Sequence, residues 1–154
     1  MFYGDLLNNM KATGEVVFNT SMVGYQESLT DPSYCRQILT LTYPLVGNYG
    51  IADIFMQSRK SFVNGFVIGE LCAHGSNWHY ETSLSDFLTK QGVPCLDNVD
   101  TRTVTRRIRN SGTMKEIIVA EDVTKAEIDE LFAVPIKKDV VMEVTTPQPY
   151  PFEA

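Results

Sequence analysis

The stretch GEVVFNTSMVGYQESLTDPSYCRQILTLTYPLVGNYG, residues 14–50, holds the strongest structural signals in the chain. Residues 15–20 and 37–43 are rich in β-branched and aromatic side chains, a composition typical of strands. Between them, residues 30–33 predict a turn, because proline fixes φ and aspartate can accept hydrogen bonds from its own turn. Residues 47–50 predict a second turn, since glycine and asparagine tolerate positive φ. Two strands separated by a turn therefore open the fold.

Two further strands are predicted in the middle of the chain. Residues 51–62 show no clean period and are expected to be irregular. Residues 62–71 predict a strand whose two glycines indicate a bulge or a close approach of another backbone. A short strand over residues 93–96 follows. Its Pro94 favours a position at the edge of a sheet, because proline has no N–H to donate.

Capping residues and apolar spacing predict the helices. Ser83 caps a helix that ends at a glycine, and Asp100 opens a second helix with Val104 and Ile108 facing inward. Both helices have apolar residues on one face and polar residues on the other. They are therefore expected to pack against the sheet.

The C-terminal third begins with a strand over residues 114–120 and a helix over residues 125–132. Thr124 and Glu127 have the spacing of a capping box at the start of that helix. Its inward-facing side chains are expected to be Ile128, Leu131 and Phe132. A short strand over residues 140–144 is predicted last. Early strands followed by alternating helices and strands predict a mixed α/β domain with helices layered on a sheet.

Composition and charge narrow the class of protein. The 154 residues fit one domain, and a net charge of −6 speaks against binding nucleic acid or an anionic membrane surface. No apolar run approaches the roughly 20 residues of a membrane helix, and residues 1–10 lack the basic start of a signal peptide. Cys35, Cys72 and Cys95 form no CxxC pair and are expected to be structural thiols in a reducing compartment. We therefore expect a cytoplasmic protein.

The sequence offers few candidates for catalysis or metal binding. His74 and His79 do not have the i, i+4 spacing of two metal ligands on a helix, so no metal site is expected. Cys72 lies two residues before His74, which leaves a cysteine-dependent hydrolase as one alternative function. Neither a GxGxxG nor a GxxxxGK[ST] phosphate-binding motif occurs. No catalytic residue is assigned.

Three arginines share one face of the second predicted helix. Arg102, Arg106 and Arg109 lie at i, i+4 and i+7, on the side away from Val104 and Ile108. One interpretation is a solvated outer face. The other is a patch that docks against an acidic surface of a partner, because arginine pairs bidentately with carboxylates.

Residues 14–50 resemble the signature stretch of the small subunit of carbamoyl-phosphate synthetase. The likeness rests on the motifs NTSM at residues 19–22, GYQE at 24–27 and TDPSY at 30–34. Weaker matches follow in the same order at residues 65–69, 84–94 and 99–106, and residues 144–150 are similar to the join between the family's two domains. The chain is thus similar to the N-terminal domain of that subunit over nearly its whole length.

The resemblance implies a fold and a domain organisation. It implies an α/β domain of three layers, β/β/α, with a mixed sheet and with helices on one side. Residues 1–146 would form the N-terminal domain of the small subunit. Residues 147–154 would begin the linker to a glutamine amidotransferase domain, which is expected to lie outside this chain.

The resemblance also implies a role in an enzyme complex. The whole enzyme makes carbamoyl phosphate from glutamine, bicarbonate and ATP for arginine and pyrimidine biosynthesis. The N-terminal domain is implied to be non-catalytic by itself and to support the amidotransferase domain, which has a Cys-His-Glu catalytic centre. Its implied partners are the large subunit and the amidotransferase domain of the same subunit. No cofactor is expected in this domain, because ATP and Mg²⁺ are used by the large subunit.

One substrate contact is implied for this domain. In the family, the serine of the TDPSY motif contributes to the glutamine site, and that position here is Ser33. A hydroxyl at the tip of a turn can donate or accept towards a substrate amide or carboxylate. The alternative is that Ser33 only caps its own turn.

The chain departs from the family in two respects. The family begins with an extra strand and turn before the position of Phe2, and their absence is expected to remove an edge strand from the sheet. The glutaminase residues cannot be assigned without the amidotransferase domain. Besides the interface domain, two functions stay open: a stand-alone regulatory module that binds a small molecule, and a hydrolase that uses Cys72 with His74.

Overall fold

The computed structural model describes residues 1–149 and residue 151. The strands are β1 (Asp5–Leu6), β2 (Ala12–Asn19), β3 (Gln37–Leu41), β4 (Leu45–Val46), β5 (Gly65–Val67), β6 (Glu70–Leu71), β7 (Cys95–Asp97) and β8 (Met114–Ile118). The helices are α1 (Tyr25–Thr30), α2 (Leu84–Gln91), α3 (Thr101–Ser111), α4 (Lys125–Ala133) and α5 (Val141–Val144). Short 3-10 helices cover Pro32–Tyr34 and Asp53–Phe55.

A mixed sheet of six strands forms the centre, in the order β1-β7-β5-β3-β2-β8. The four inner strands β7, β5, β3 and β2 run parallel, and the two outer strands β1 and β8 are antiparallel to their neighbours. A second sheet pairs β4 with β6 in parallel. The amino ends of the four inner strands therefore meet at one side of the domain.

Neighbouring residues of β3 serve opposite faces of the main sheet. Ile38 packs with Val104 and Ile108 of α3. Leu39 packs on the other face with side chains of α1, α2 and the small sheet. Burial on both faces is typical of sheets with parallel strands. The small sheet, the main sheet and α3 form three layers, so the predicted α/β fold class is confirmed.

The buried side chain of Gln26 in α1 holds the irregular segment that precedes β5. Its Nε2 donates to the carbonyl oxygen of Ala52 at 2.6 Å, and its Oε1 accepts from the N–H of Ala52 at 3.0 Å. At the end of α1, the hydroxyl of Thr30 accepts from the N–H of Gln57, and its carbonyl accepts from the hydroxyl of Ser58. Side chains thus satisfy backbone groups that no strand partner reaches.

Two stacked tyrosines strengthen the same junction. The rings of Tyr25 and Tyr49 lie 4.1 Å apart between centroids. The Tyr25 hydroxyl donates to the carbonyl of Gly50 at 2.6 Å, and the Tyr49 hydroxyl accepts from the N–H groups of Gly24 and Tyr25. Burial raises the pKa of both phenols, so they stay protonated and available for these bonds.

The predicted start and stop signals of the first two long helices are confirmed. The Ser83 hydroxyl accepts from the N–H of Asp86 at 3.0 Å, and α2 ends at Gly92 with a positive φ of 69°. Asp100 accepts from the N–H of Thr103 at 2.9 Å and caps α3.

The predicted strand over residues 62–71 is divided between the two sheets. The backbone leaves the main sheet after β5, and the N–H of Glu70 donates to the carbonyl of Pro44 at 2.8 Å. A Cβ at Gly69 would lie 2.9 Å from that carbonyl oxygen. The close backbone approach predicted from the glycines is therefore confirmed here, and it explains why the strand cannot continue in one sheet.

The edge position predicted for residues 93–96 is wrong. Strand β7 lies between β1 and β5, and β1 forms the edge. Pro94 precedes the first paired residue, and only its carbonyl is used, as acceptor from the N–H of Phe66 at 2.9 Å. The missing N–H of proline therefore leaves the pairing of β7 intact.

Two predictions in the C-terminal third are also corrected. Residues 140–144 were predicted as a strand but contain helix α5, whose last carbonyls accept hydrogen bonds from a distant arginine. The capping box of α4 is present, but Phe132 is 48% exposed rather than inward-facing, while Ile128 and Leu131 are half-buried. Residues 145–149 and 151 are exposed, and residues 150 and 152–154 of the predicted linker lie outside the described residues.

Replacing Gln26 by leucine is expected to destabilise the fold strongly although the two side chains are similar in size. The leucine leaves the N–H of Ala52 buried without a partner and removes one of the two hydrogen bonds to its carbonyl, which still accepts from the N–H of Phe55. An unsatisfied buried group costs about 1–3 kcal/mol. Chemical unfolding followed by circular dichroism should show a loss of about 1–3 kcal/mol. Gln57→Leu, at an exposed position, is the control and should change stability by less than about 0.5 kcal/mol. Equal effects of the two changes would contradict this account.

Candidate functional site

The turn that presents Ser33 has its backbone satisfied by its own residues. Pro32 starts a 3-10 helix, and the Asp31 carboxylate accepts from the N–H of Ser33 at 2.8 Å. The N–H of Cys35 donates to the carbonyl of Pro32 at 3.1 Å. Ser33 is exposed, and within residues 1–149 and 151 its hydroxyl has no hydrogen-bond partner. Asp31 therefore caps this turn, and the Ser33 hydroxyl faces solvent.

The turn is braced from the main sheet. The Asn19 amide, at the end of β2, donates to the hydroxyls of Tyr34 and Ser28, both at 3.2 Å. These bonds tie both sides of the Ser33 turn to the same strand. A rigid turn with a free hydroxyl is suited to contacting a ligand without backbone movement.

A cleft of about 410 Å³ lies beside this turn, across the amino ends of the four inner strands. Its lining includes three cationic side chains, Lys11, Arg36 and Lys60, and one carboxylate, Glu143. Ligands of open α/β sheets usually bind at the carboxyl ends of the strands. This cleft lies at the amino ends, on the opposite side of the sheet. Position alone does not make it a substrate site.

Two charged groups of the cleft, Arg36 and Glu143, are paired with each other, and Lys11 pairs with Glu127 outside it. Lys137 and Arg36 hold the pKa of Glu143 below its usual range by hydrogen bonding to its carboxylate. Burial, and then the charge of Glu143, raise the pKa of the Cys35 thiol. A thiol with a raised pKa is a poor nucleophile, so the cleft is not arranged for cysteine chemistry.

The three predicted arginines do share one exposed face. Arg102, Arg106 and Arg109 are exposed on α3, and the opposite side of the helix buries Val104 and Ile108. In the described part of the chain, none of the three arginines forms an ion pair. Ser33 follows α1 in a different layer, so the arginine face and the Ser33 turn are separate surfaces.

The predicted alternative of a Cys72–His74 hydrolase finds no support in the geometry. The Cys72 thiol donates to the backbone carbonyl of His74 at 3.3 Å. A general base would have to accept the proton through an imidazole nitrogen, and the described residues show no such bond. Cys35 and Cys95 are buried, as predicted for structural thiols, whereas Cys72 is half-buried.

The second histidine belongs to an exposed aromatic cluster. The His79 ring packs 3.9 Å from Trp78 and edge-on to Phe55 at 5.7 Å, and Trp78 is 89% exposed. Across residues 1–149 and 151, no group of three or more histidine, cysteine, aspartate or glutamate side chains is placed to hold a metal ion. Among the same residues, the helices are all too short or too polar to cross a membrane.

Sequence reasoning missed α1 and the side chains that support the site from it. The available signal was the i, i+4 pair Tyr25 and Leu29, both of which are buried on one side of α1. Gln26 carried no such signal, because a glutamine is usually exposed. Its burial depends on a backbone partner 26 residues away, Ala52.

The chain is similar in sequence to known proteins of one family. The family described as "Carbamoyl-phosphate synthase small chain, CPSase domain" matches residues 1–118. Over 152 residues the chain is 46% identical to the carbamoyl phosphate synthase small chain of Bacillus caldolyticus. It is 43% identical over 151 residues to the protein of the same name from Caldanaerobacter subterraneus, and 46% identical over 147 residues to that of Listeria monocytogenes.

These alignments use nearly all of this chain and less than half of each relative. They cover 97%, 97% and 94% of the chain and 42%, 40% and 40% of the three relatives. The chain therefore spans about two-fifths of the length of the curated relatives that it matches.

The three thiols are expected to differ in reactivity. Burial shields Cys35 and Cys95 and also raises their pKa, which lowers the thiolate fraction at a given pH. A chromogenic thiol reagent at pH 8 should label one site of the folded chain quickly and all three in denaturant. Cys72→Ser should remove the fast phase. A fast phase that persists in that variant would show that one of the buried thiols is accessible.

Proposed function

Because the chain belongs to the carbamoyl-phosphate synthase small-chain family, we propose that it forms the N-terminal structural and interface domain of a glutamine-hydrolysing carbamoyl-phosphate synthase. In this proposal a glutamine amidotransferase domain follows residue 146 and releases ammonia. A large chain then uses that ammonia, with bicarbonate, ATP and Mg²⁺, to make carbamoyl phosphate. The enzyme would serve arginine and pyrimidine biosynthesis in the cytoplasm.

The free hydroxyl of Ser33 is the observation that supports a role in glutamine binding. Asp31 already satisfies the turn, so the Ser33 hydroxyl is left to solvent and adds nothing to the cap. Asn19 and Pro32 restrain the turn that carries it. A fixed and unpaired hydroxyl can bind the non-reacting end of a substrate held mainly by another domain.

The lack of a catalytic pair in the described residues supports a non-catalytic role. The one half-buried thiol, that of Cys72, donates to a backbone carbonyl instead of to a base. The proposal therefore assigns the nucleophile and its base to the following domain. This domain would contribute substrate binding and support.

The arginine face supports an interface with the large chain. Each of these relatives is named a small chain, which implies a larger partner. Arg102, Arg106 and Arg109 are exposed without an ion pair among the described residues. Exposed guanidinium groups without an ion pair can bind carboxylates of a second chain without first breaking bonds inside their own chain.

Ser33→Ala, made in a small chain of the full length of its relatives, is expected to raise KM for glutamine. Loss of one hydrogen bond that acts on ground and transition states alike costs about 0.5–1.5 kcal/mol, or up to about 3 if the partner is charged. Synthesis from ammonia should be nearly unchanged, and thermal stability should fall only slightly. The measurement is steady-state kinetics with glutamine and with ammonia.

Ser76→Ala is the matched control, because Ser76 is an exposed serine that forms no hydrogen bond, among the described residues, to the Ser33 turn or to Asn19. It should leave both reactions unchanged. If Ser33→Ala lowers stability while KM for glutamine stays constant, Ser33 is a structural residue and the proposed contact fails.

Reversing charge on the arginine face is expected to weaken binding of the large chain. In the double variant Arg102→Glu and Arg106→Glu, like charges meet across the interface and partner carboxylates lose their pairs, with a cost of about 2 kcal/mol or more. Folding should be unaffected, because exposed charges contribute little to stability. Calorimetric titration of the large chain at low salt measures the effect.

The control with the same change in net charge is Lys125→Glu with Lys138→Glu, two exposed lysines outside α3. It should bind the large chain as the unmodified protein does. If the arginine variant and this control bind the large chain with equal affinity, the arginine face is a solvent-exposed surface and not an interface.

A further inference from the structure

Helix α5 is fastened to the Ser33 side of the domain through the carboxylate of Glu143. One oxygen accepts from Nε of Arg36 at 2.8 Å, and the other accepts from Nζ of Lys137 at 2.5 Å. The Glu143 side chain is 24% exposed, so this pair is partly shielded from water. Both oxygens are used, which fixes the carboxylate in one orientation.

Arg59 fastens the end of the same helix through its backbone. Its guanidinium donates to the carbonyl oxygens of Glu143 at 2.6 Å, Val144 at 3.2 Å and Thr145 at 3.1 Å. The last carbonyls of a helix have no partner inside the helix, and Arg59 supplies one from elsewhere in the chain. Three successive carbonyls held by one planar group set the direction in which the chain leaves α5.

Arg36 adopts a backbone conformation that is unusual for a side chain of its size. Its φ is 65°, in the left-handed region, and its N–H donates to the carbonyl of Phe62 at 3.0 Å. Left-handed residues other than glycine are strained and concentrate at functional positions. Arg36 follows Ser33 by three residues, so the strained residue lies directly beyond the turn.

Arg59 is anchored to the other side of that turn. The hydroxyl of Ser58, its neighbour, donates to the carbonyl of Thr30 at 2.6 Å, one residue before the turn begins. The Arg59 guanidinium also lies 4.9 Å above the ring of Phe62. The two arginines that hold α5 are therefore fixed to the chain on either side of Ser33.

We propose that Arg36 and Arg59 form a clamp on residues 143–145 that directs the following polypeptide along the Ser33 turn. They are then positioning residues for glutamine binding. The inference rests on the proposed function, in which Ser33 contacts a substrate held by the following domain. Contacts shared between two domains require that both be held within a fraction of an ångström. A linker that left α5 freely would not meet this requirement.

An ordinary surface ion pair is the alternative explanation, and the chain offers a matched example. Lys11 and Glu127 form an exposed pair at 2.8 Å between the start of β2 and α4. Exposed pairs of this kind are worth little. The clamp differs because the side chain and the backbone of the same short helix are held together, by residues next to the turn.

The test uses the full-length small chain with its large chain. Arg59→Ala and Arg36→Gly should each raise KM for glutamine by about tenfold, the factor that corresponds to losing one substrate hydrogen bond. Synthesis from ammonia should be unchanged. Glycine suits the positive φ of residue 36, so the second variant removes the guanidinium without adding strain. Lys11→Ala is the control and should leave KM unchanged. Unchanged KM in both arginine variants would overturn the clamp.

A double variant separates positioning from a general loss of structure. If the clamp acts through the Ser33 contact, by placing the following polypeptide against that turn, Arg59→Ala should change KM less than twofold when Ser33→Ala is already present. If the factors by which the two single substitutions raise KM multiply in the double variant, Arg59 acts independently of Ser33 and the proposal is refuted. Arg59→Lys should recover little, because one ammonium group does not span three carbonyls.

Amide exchange distinguishes failure of the clamp from failure of the proposed function. Residues 141–145 should exchange faster in Arg59→Ala and Arg36→Gly than in Lys11→Ala, whatever the full-length protein catalyses. Suppose that residues 141–145 exchange faster in the two arginine variants but the unmodified protein makes no carbamoyl phosphate from glutamine. The clamp on α5 is then confirmed, and its role in glutamine binding is refuted together with the proposed function. If exchange is the same in all three variants, the clamp itself is refuted.

Discussion

The pairing of the Gln26 amide with both backbone groups of Ala52 is the contact on which the rest of the structure depends. An irregular segment cannot be buried unless something satisfies its N–H and carbonyl groups. Here a six-residue helix supplies those partners, with Tyr25 and Thr30 completing the set. The helix therefore acts as a template on which the following loop is ordered. The GYQE motif at residues 24–27, which is typical of the family, therefore has a structural role. The Ser33 turn follows this helix directly and is held in place by it.

The parallel arrangement of the inner strands explains where the candidate site lies. Parallel strands are joined by crossovers, so each connection returns to the amino side of the sheet before the next strand starts. The Ser33 turn, Arg36 and the segment before β5 all arrive at that side for this reason. The carboxyl side receives the small sheet and the start of α3 instead. The proposed substrate contact and the proposed subunit interface therefore lie in different layers of the domain.

Much of this could be predicted from sequence, and most of the failures share a cause. Strands with β-branched side chains and helices with side-chain caps were predicted because their signals are local. Helix α5 was predicted as a strand and β7 was placed at an edge, because partners far along the chain decide both cases. Helix α1 was missed because its local signal is a single buried pair, Tyr25 and Leu29, within six residues. Gln26 is fixed by Ala52, and α5 by Arg59. For the site, Ser33 was named from family resemblance and its turn from Asp31 and Pro32, whereas the brace from Asn19 became visible only in three dimensions.

The exposed aromatic cluster has a practical consequence for studying this domain. Trp78 is the single tryptophan of the chain, and it lies 89% exposed beside His79, in a loop outside both cores. The indole is already mostly in water in the folded chain, so unfolding changes its solvent exposure little and removes mainly its contact with His79. Its fluorescence is well placed to report the arrival of another molecule on that loop. Folding is therefore reported by the peptide backbone and by the stacked pair Tyr25 and Tyr49, whereas the indole reports contacts made on its loop.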